Sequence, residues 1–175
     1  MVRYRRYLQE GGSYFFTVAI RDRRDRVLTD HVHLLRCAFH TVQAKSPFTI
    51  DAIVVLPDHL HTVWTLPEGD AHYPGRWRAI KSLFVRLMKR EGLFLGRNGK
   101  GDAPVWQRRY WEHALRNDDD RQRHIDYIHY NPVKHGYVQR PADWPYSSIH
   151  RFIARGDLPA DWGGPVENIE GRFGE

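Results

Sequence analysis

Two short runs, TIDAIVVLP at 49–57 and HLHTVWTLP at 59–67, stand one residue apart, with Pro57-Asp58 between their apolar stretches. Both are rich in β-branched and aromatic residues, and a Pro-Asp step is a turn signal. Neighbouring strands with so short a link must pair antiparallel, and a lone hairpin needs further strands and a covering layer to be stable. This pair therefore constrains the fold more than any other feature.

The rest of the chain supplies that layer. YFFTVAI at 14–20 follows a Gly-Gly break and reads as a strand. Thr29 and Asp30 can cap a helix running to about residue 44, closed by Pro47. A second helix is expected over about 75–91, with Trp77, Ile80, Phe84, Leu87 and Met88 along one face. LGRNGKGDAP at 95–104 reads as a mobile loop, and VWQRRYWEHAL as a further strand. Asn117 before three aspartates is a strong helix start, and Pro132 predicts that this helix ends near Asn131. The expected class is α+β, an antiparallel sheet with helices packed mainly on one face. One domain over 1–150 is expected, with 151–175 an irregular extension that wraps the surface. No internal repeat is present.

Composition narrows the function. A chain of 175 residues with 41% hydrophobic residues can bury one core. No apolar run approaches a bilayer crossing, and the basic start has no hydrophobic segment behind it, so a cytoplasmic, nucleoid-associated protein with no membrane partner is expected. Cys37 is the only cysteine, which excludes a multi-cysteine zinc module. The net charge of +6 is concentrated: residues 76–100 carry eight basic groups against one acid. Such a field suits a polyphosphate partner, and RYRRY and WQRRYW add rings on which bases can stack. A solvated helix face would look the same. On charge and placement, Arg3, Arg5, Arg6, Lys81, Arg86, Arg108 and Arg109 are candidate phosphate contacts.

Chemistry gathers at two places. In a strand, residues i and i+2 share a face, so His59 and His61 present their imidazoles side by side. His31-Val32-His33 has the same spelling inside a predicted helix, where i and i+2 do not share a face. In HIDYIHYNPVKHG at 124–136, Tyr127 and Asn131 lie one helical turn apart on one face. Two imidazoles and an amide oxygen suit Mg²⁺ or Mn²⁺ when phosphate oxygens complete the shell. A pair of surface histidines and a core tyrosine remain the plain alternatives. Tyr130 sits about 60° round the helix from Tyr127 and rivals it only by proximity.

With these residues in view, the chain resembles the HUH single-tyrosine transposases, and more closely the REP-associated tyrosine transposases of bacteria. The resemblance rests on LPDHLHTVWTLPEGD and DYIHYNPVKHG, with GGSYFFTVAIRDR, RWRAIKSLF, VWQRRYWEHALRN and DWPYSSIHR in support. It implies the ferredoxin-like HUH nuclease fold and a metal-dependent endonuclease and strand transferase. The implied substrate is single-stranded DNA beside REP-type hairpins, cleaved through a 5′-phosphotyrosine intermediate. His59 and His61 match the metal-binding pair, Tyr127 the nucleophile, and Asn131 the third ligand. The wider family commonly has Gln at that last position, so Asn131 is a departure with a shorter reach. Wider relatives act as dimers; the REP-associated branch implies a monomer. Two other readings of the same residues are a hairpin-binding protein without catalysis and a hydrolase in which water attacks.

Overall fold

The computed structural model describes residues 8–93 and 105–164. Its elements run β1 (Ser13–Ala19), α1 (Val27–Asp30), α2 (Val32–Lys45), β2 (Thr49–Val55), β3 (His59–Thr65), α3 (Tyr73–Arg90), β4 (Trp111–Ala114), α4 (Asp118–Lys134), a 3₁₀ turn (Pro141–Asp143) and α5 (Ile149–Arg155). The four strands form one sheet in the order β2-β3-β1-β4. All three pairings are antiparallel. This β-α-β-β-α-β order is the ferredoxin-like arrangement.

Alternation along the central strands divides the core in two. Tyr14, Phe16 and Val18 of β1 join Leu60 and Trp64 of β3 under α2 and α3. There Trp64 and Trp77 stack with ring centroids 4.2 Å apart. Phe15 of β1 and Val63 of β3 point the other way, into a second cluster with Ile125, Tyr127 and Ile128 of α4. The bias toward one face thus holds for α2 and α3, while α4 takes the opposite face. That second face is the one onto which the histidine pair turns.

Several local expectations hold. Asn117 caps α4, its side chain accepting from the Asp120 amide at 2.8 Å. The hairpin pairs antiparallel, with a register shift between Ile50 and Ala52. Other expectations are corrected. Thr29 and Asp30 lie within α1, and α2 starts without a side-chain cap; the Thr29 hydroxyl bonds instead to the Arg26 carbonyl. Of the run at 105–115 only four residues form β4, and Trp106 makes an isolated bridge to Ile20, one residue past the end of β1.

Helix α4 does not stop at Asn131. It carries Pro132 inside it and runs to Lys134. Proline forfeits one amide bond, but the helix end is closed by three others: His135 to the Asn131 carbonyl, Gly136 to Val133 and Tyr137 to Pro132, at 3.0, 2.9 and 2.9 Å. Gly136 makes this closure with φ of 71°. The expected extension shares only its first residues, 151–155, with α5, in which Ile149, Phe152 and Ile153 follow helical spacing and form the inner side. The loop at 95–104 lies outside the described residues, as does the tail beyond 164.

Candidate active site

The odd-numbered residues of β3 project toward α4. His59 and His61 lie there, both buried, with ring centroids 4.9 Å apart. Tyr127 meets His61 edge-on, their rings 5.2 Å apart at 71°. Asn131, one turn further along α4, is fully buried. Helix α4 thus brings Tyr127 against His61 from more than sixty residues along the chain. By contrast, the His31 and His33 rings are 6.4 Å apart, and His33 is largely exposed beside Glu91.

Each histidine is held through its Nδ1. On His61 it lies 2.8 Å from the Thr17 hydroxyl, directly across the β1–β3 register. On His59 it lies 2.8 Å from Asp58 Oδ1. Asp58 also accepts from the Arg23 guanidinium. Burial raises the Asp58 carboxyl, but His59 and Arg23 outweigh it and hold the group below its ordinary value. An ionised Asp58 accepts the Nδ1 proton of His59, so any metal coordination by this ring falls to Nε2. Two imidazoles held this way are donors that a divalent ion accepts, and Asn131, buried one turn beyond Tyr127 on α4, has an amide oxygen of the same chemistry.

The phenol of Tyr127 is fully buried as a residue, yet its oxygen receives a hydrogen bond from the exposed Lys134, Nζ to Oη 3.1 Å. Tyr130 is less buried and lies round the helix. The His135 ring stands 5.2 Å from that of His59. Thr17, Asp58, Arg23 and Lys134 all went unread in the sequence. Only Asp58 carried a signal, as an acid beside the first histidine.

A second group was also missed. Among the described residues, His113, Asp120 and His124 bring three ligand atoms within 4.8 Å, an arrangement compatible with a metal ion. His113 Nε2 lies 2.8 Å from Asp120 Oδ2, which also accepts from the Arg116 amide. The group therefore also ties β4 to the start of α4. Burial pushes the His124 imidazole down from its usual value. A cavity of about 330 Å³ lies elsewhere, between α2 and the edge of β2, and is lined by none of these residues.

The basic candidates separate by environment. Arg86, Arg108 and Arg109 are exposed. Lys81 is partly engaged, donating to the Gln107 carbonyl and lying over the Trp106 and Tyr110 rings. Arg76, one of the eight basic groups, is buried and forks onto Asp70. Arg3, Arg5 and Arg6 lie outside the described residues. No described helix is long and apolar enough to cross a membrane.

Fold and site together define a ferredoxin-like α+β protein whose paired strand histidines meet a helical tyrosine. Comparison with known proteins makes the class specific. The chain is 48% identical to the REP-associated tyrosine transposase of Escherichia coli K12, over 97% of this chain and 95% of that one. A Haemophilus influenzae Rd protein bearing the same family name is 44% identical, over 98% and 99%. A solved REP-associated tyrosine transposase bound to a REP hairpin superposes with a TM-score of 0.84 at 47% identity, covering 97% of this chain and 95% of that one. A Deinococcus radiodurans crystal structure shares the fold at 18% identity and a TM-score of 0.50, over 70% of this chain and 92% of that one. No protein-family model matches. The chain belongs to the REP-associated tyrosine transposases.

Proposed function

We propose that this protein is a single-stranded DNA endonuclease and strand transferase acting beside REP-type hairpins, with Tyr127 as its nucleophile. The observation that carries the reading is the edge contact of Tyr127 with His61, 5.2 Å between rings, beside a histidine pair whose Nδ1 atoms are both engaged. Family membership and the hairpin held by a solved relative support the choice of DNA. The four residues come from one chain, so the reading needs no second subunit.

His59, His61 and Asn131 are the residues that would hold a divalent ion such as Mg²⁺ or Mn²⁺. When bound, the ion supplies Lewis-acid stabilisation of charge on the scissile phosphate. Asp58 and Thr17 orient the imidazoles for that task. Tyr127 attacks phosphorus, the bond to the 3′ oxygen breaks, and its electron pair leaves on that oxygen, which ends as a free hydroxyl. The 5′ phosphate stays on Tyr127 as a diester. A 3′ hydroxyl of another strand reverses the step, so no nucleotide triphosphate is consumed. Single-stranded substrate suits a buried nucleophile, because a flexible strand bends into the site where stacked duplex resists.

The test is incubation with hairpin-flanked single-stranded DNA and Mn²⁺ or Mg²⁺, looking for a denaturation-resistant adduct. Wild type is expected to form it, and Tyr127→Phe to lose both adduct and cleavage while still binding DNA. An adduct undiminished in Tyr127→Phe removes the nucleophile assignment. Cleavage by wild type without any adduct would transfer the attack to water.

A further inference from the structure

Lys134 stands seven residues beyond Tyr127, two helical turns and about 20° away in angle, so both side chains occupy one stripe of α4. Its ammonium is 3.1 Å from the Tyr127 oxygen and 4.9 Å from the ring centroid. This placement exists only because α4 continues through Pro132. A helix ending at Asn131 would have released Lys134 into a turn. A basic residue in the last helical turn is ordinarily explained by the helix dipole, which asks for positive charge near the terminal carbonyls but not for contact with a phenol oxygen.

We propose that Lys134 is a catalytic residue of strand transfer: its ammonium donates to the Tyr127 oxygen and stabilises the negative charge there as the phosphotyrosine bond breaks. The proposal rests on Tyr127 being the nucleophile. In rejoining, the incoming 3′ oxygen forms a bond to phosphorus and the bond from phosphorus to the Tyr127 oxygen breaks. The electron pair of that bond goes to the phenol oxygen, where Lys134 meets it. The 3′ hydroxyl loses its proton to solvent and the phenolate takes one up, so no oxidant or cofactor is involved. In cleavage the same contact steadies the oxygen as it approaches phosphorus.

The experiment compares wild type, Lys134→Arg and Lys134→Met at saturating hairpin-flanked DNA with Mn²⁺. It follows single-turnover cleavage and the chase of purified adduct with a 3′-hydroxyl strand. Met keeps the stem that packs on the ring and removes the donor. Lys134→Met is expected to slow both steps roughly 10- to 100-fold, the range for losing a charged hydrogen bond, with Arg recovering most of the rate. DNA affinity is expected to stay within about threefold, since one phosphate contact at most is touched. Placing 3,5-difluorotyrosine at position 127 makes the phenolate a better leaving group. In that background the rejoining penalty of Lys134→Met is expected to shrink, which a packing role would not produce.

Equal single-turnover rates in wild type and Lys134→Met overturn the proposal, and so does a loss confined to DNA affinity. If Lys134→Met fails to fold, Lys134→Gln takes its place: the same slowing of both steps supports the proposal, and single-turnover rates equal to those of wild type overturn it. An adduct in Tyr127→Phe sinks the nucleophile reading itself. Loss of adduct there, with normal Lys134→Met kinetics, sinks only this inference.

Discussion

Asp58 and His59 are chain neighbours whose side chains bond to each other, Oδ1 to Nδ1 at 2.8 Å, with Arg23 on the other carboxylate oxygen. Adjacent strand residues normally point to opposite faces, but Asp58 precedes β3 in the turn, which frees its carboxylate to come back beneath the ring. The relationship holds one imidazole in a single orientation at the base of the candidate site.

Removing that support should weaken metal binding without unfolding the chain. Asp58→Ala is expected to lower Mn²⁺ affinity by roughly 10- to 100-fold, as second-layer carboxylates do. Calorimetric titration checks this, and unchanged affinity would separate Asp58 from the site.

Stability should carry an acid dependence from Asp70. The Arg76 side-chain bonds hold its carboxyl down to about 2, against an ordinary 3.8. A depressed folded-state value means the contribution is present above about pH 4 and is lost as pH falls through 2. Asp70→Asn is expected to cost about 2 kcal/mol at pH 7, with the gap to wild type closing toward pH 2. Urea unfolding at several pH values measures it.

The exposed and buried arginines should part company in salt titrations of DNA binding. Arg86→Ala, Arg108→Ala or Arg109→Ala is expected to reduce the salt slope by up to about 1 where the side chain meets a phosphate. Arg76→Ala should instead lower thermal stability and leave the slope alone, because its guanidinium serves Asp70 and the carbonyls of Ser46 and Pro47. A changed slope in Arg76→Ala would contradict its structural role.

The start of α4 gives a local check. Asn117→Ala removes the bond to the Asp120 amide and is expected to destabilise by about 1 kcal/mol, read as a shift in the denaturation midpoint. An unaltered midpoint would mean that the neighbouring aspartates and His113 hold the turn without it.

What could be read along the chain was short-range. The hairpin of β2 and β3, the shared face of His59 and His61, the cap at Asn117 and the one-turn spacing of Tyr127 and Asn131 all follow from strand and helix periods that act over a few residues. The meeting of these pieces depends on contacts without local trace. Thr17 finds His61 through a pairing register across 44 residues, and α4 settles on the histidine face because Ile125, Tyr127 and Ile128 bury against Phe15 and Val63. The same packing carries the helix past Pro132, where a local rule weighs one lost amide bond but not the closure around Gly136 that follows it. Arg76 shows the converse: its charge was plain in the sequence, but its burial on Asp70 belongs to the fold. Periodicity and capping are properties of neighbouring residues, whereas burial and convergence are properties of the packed whole.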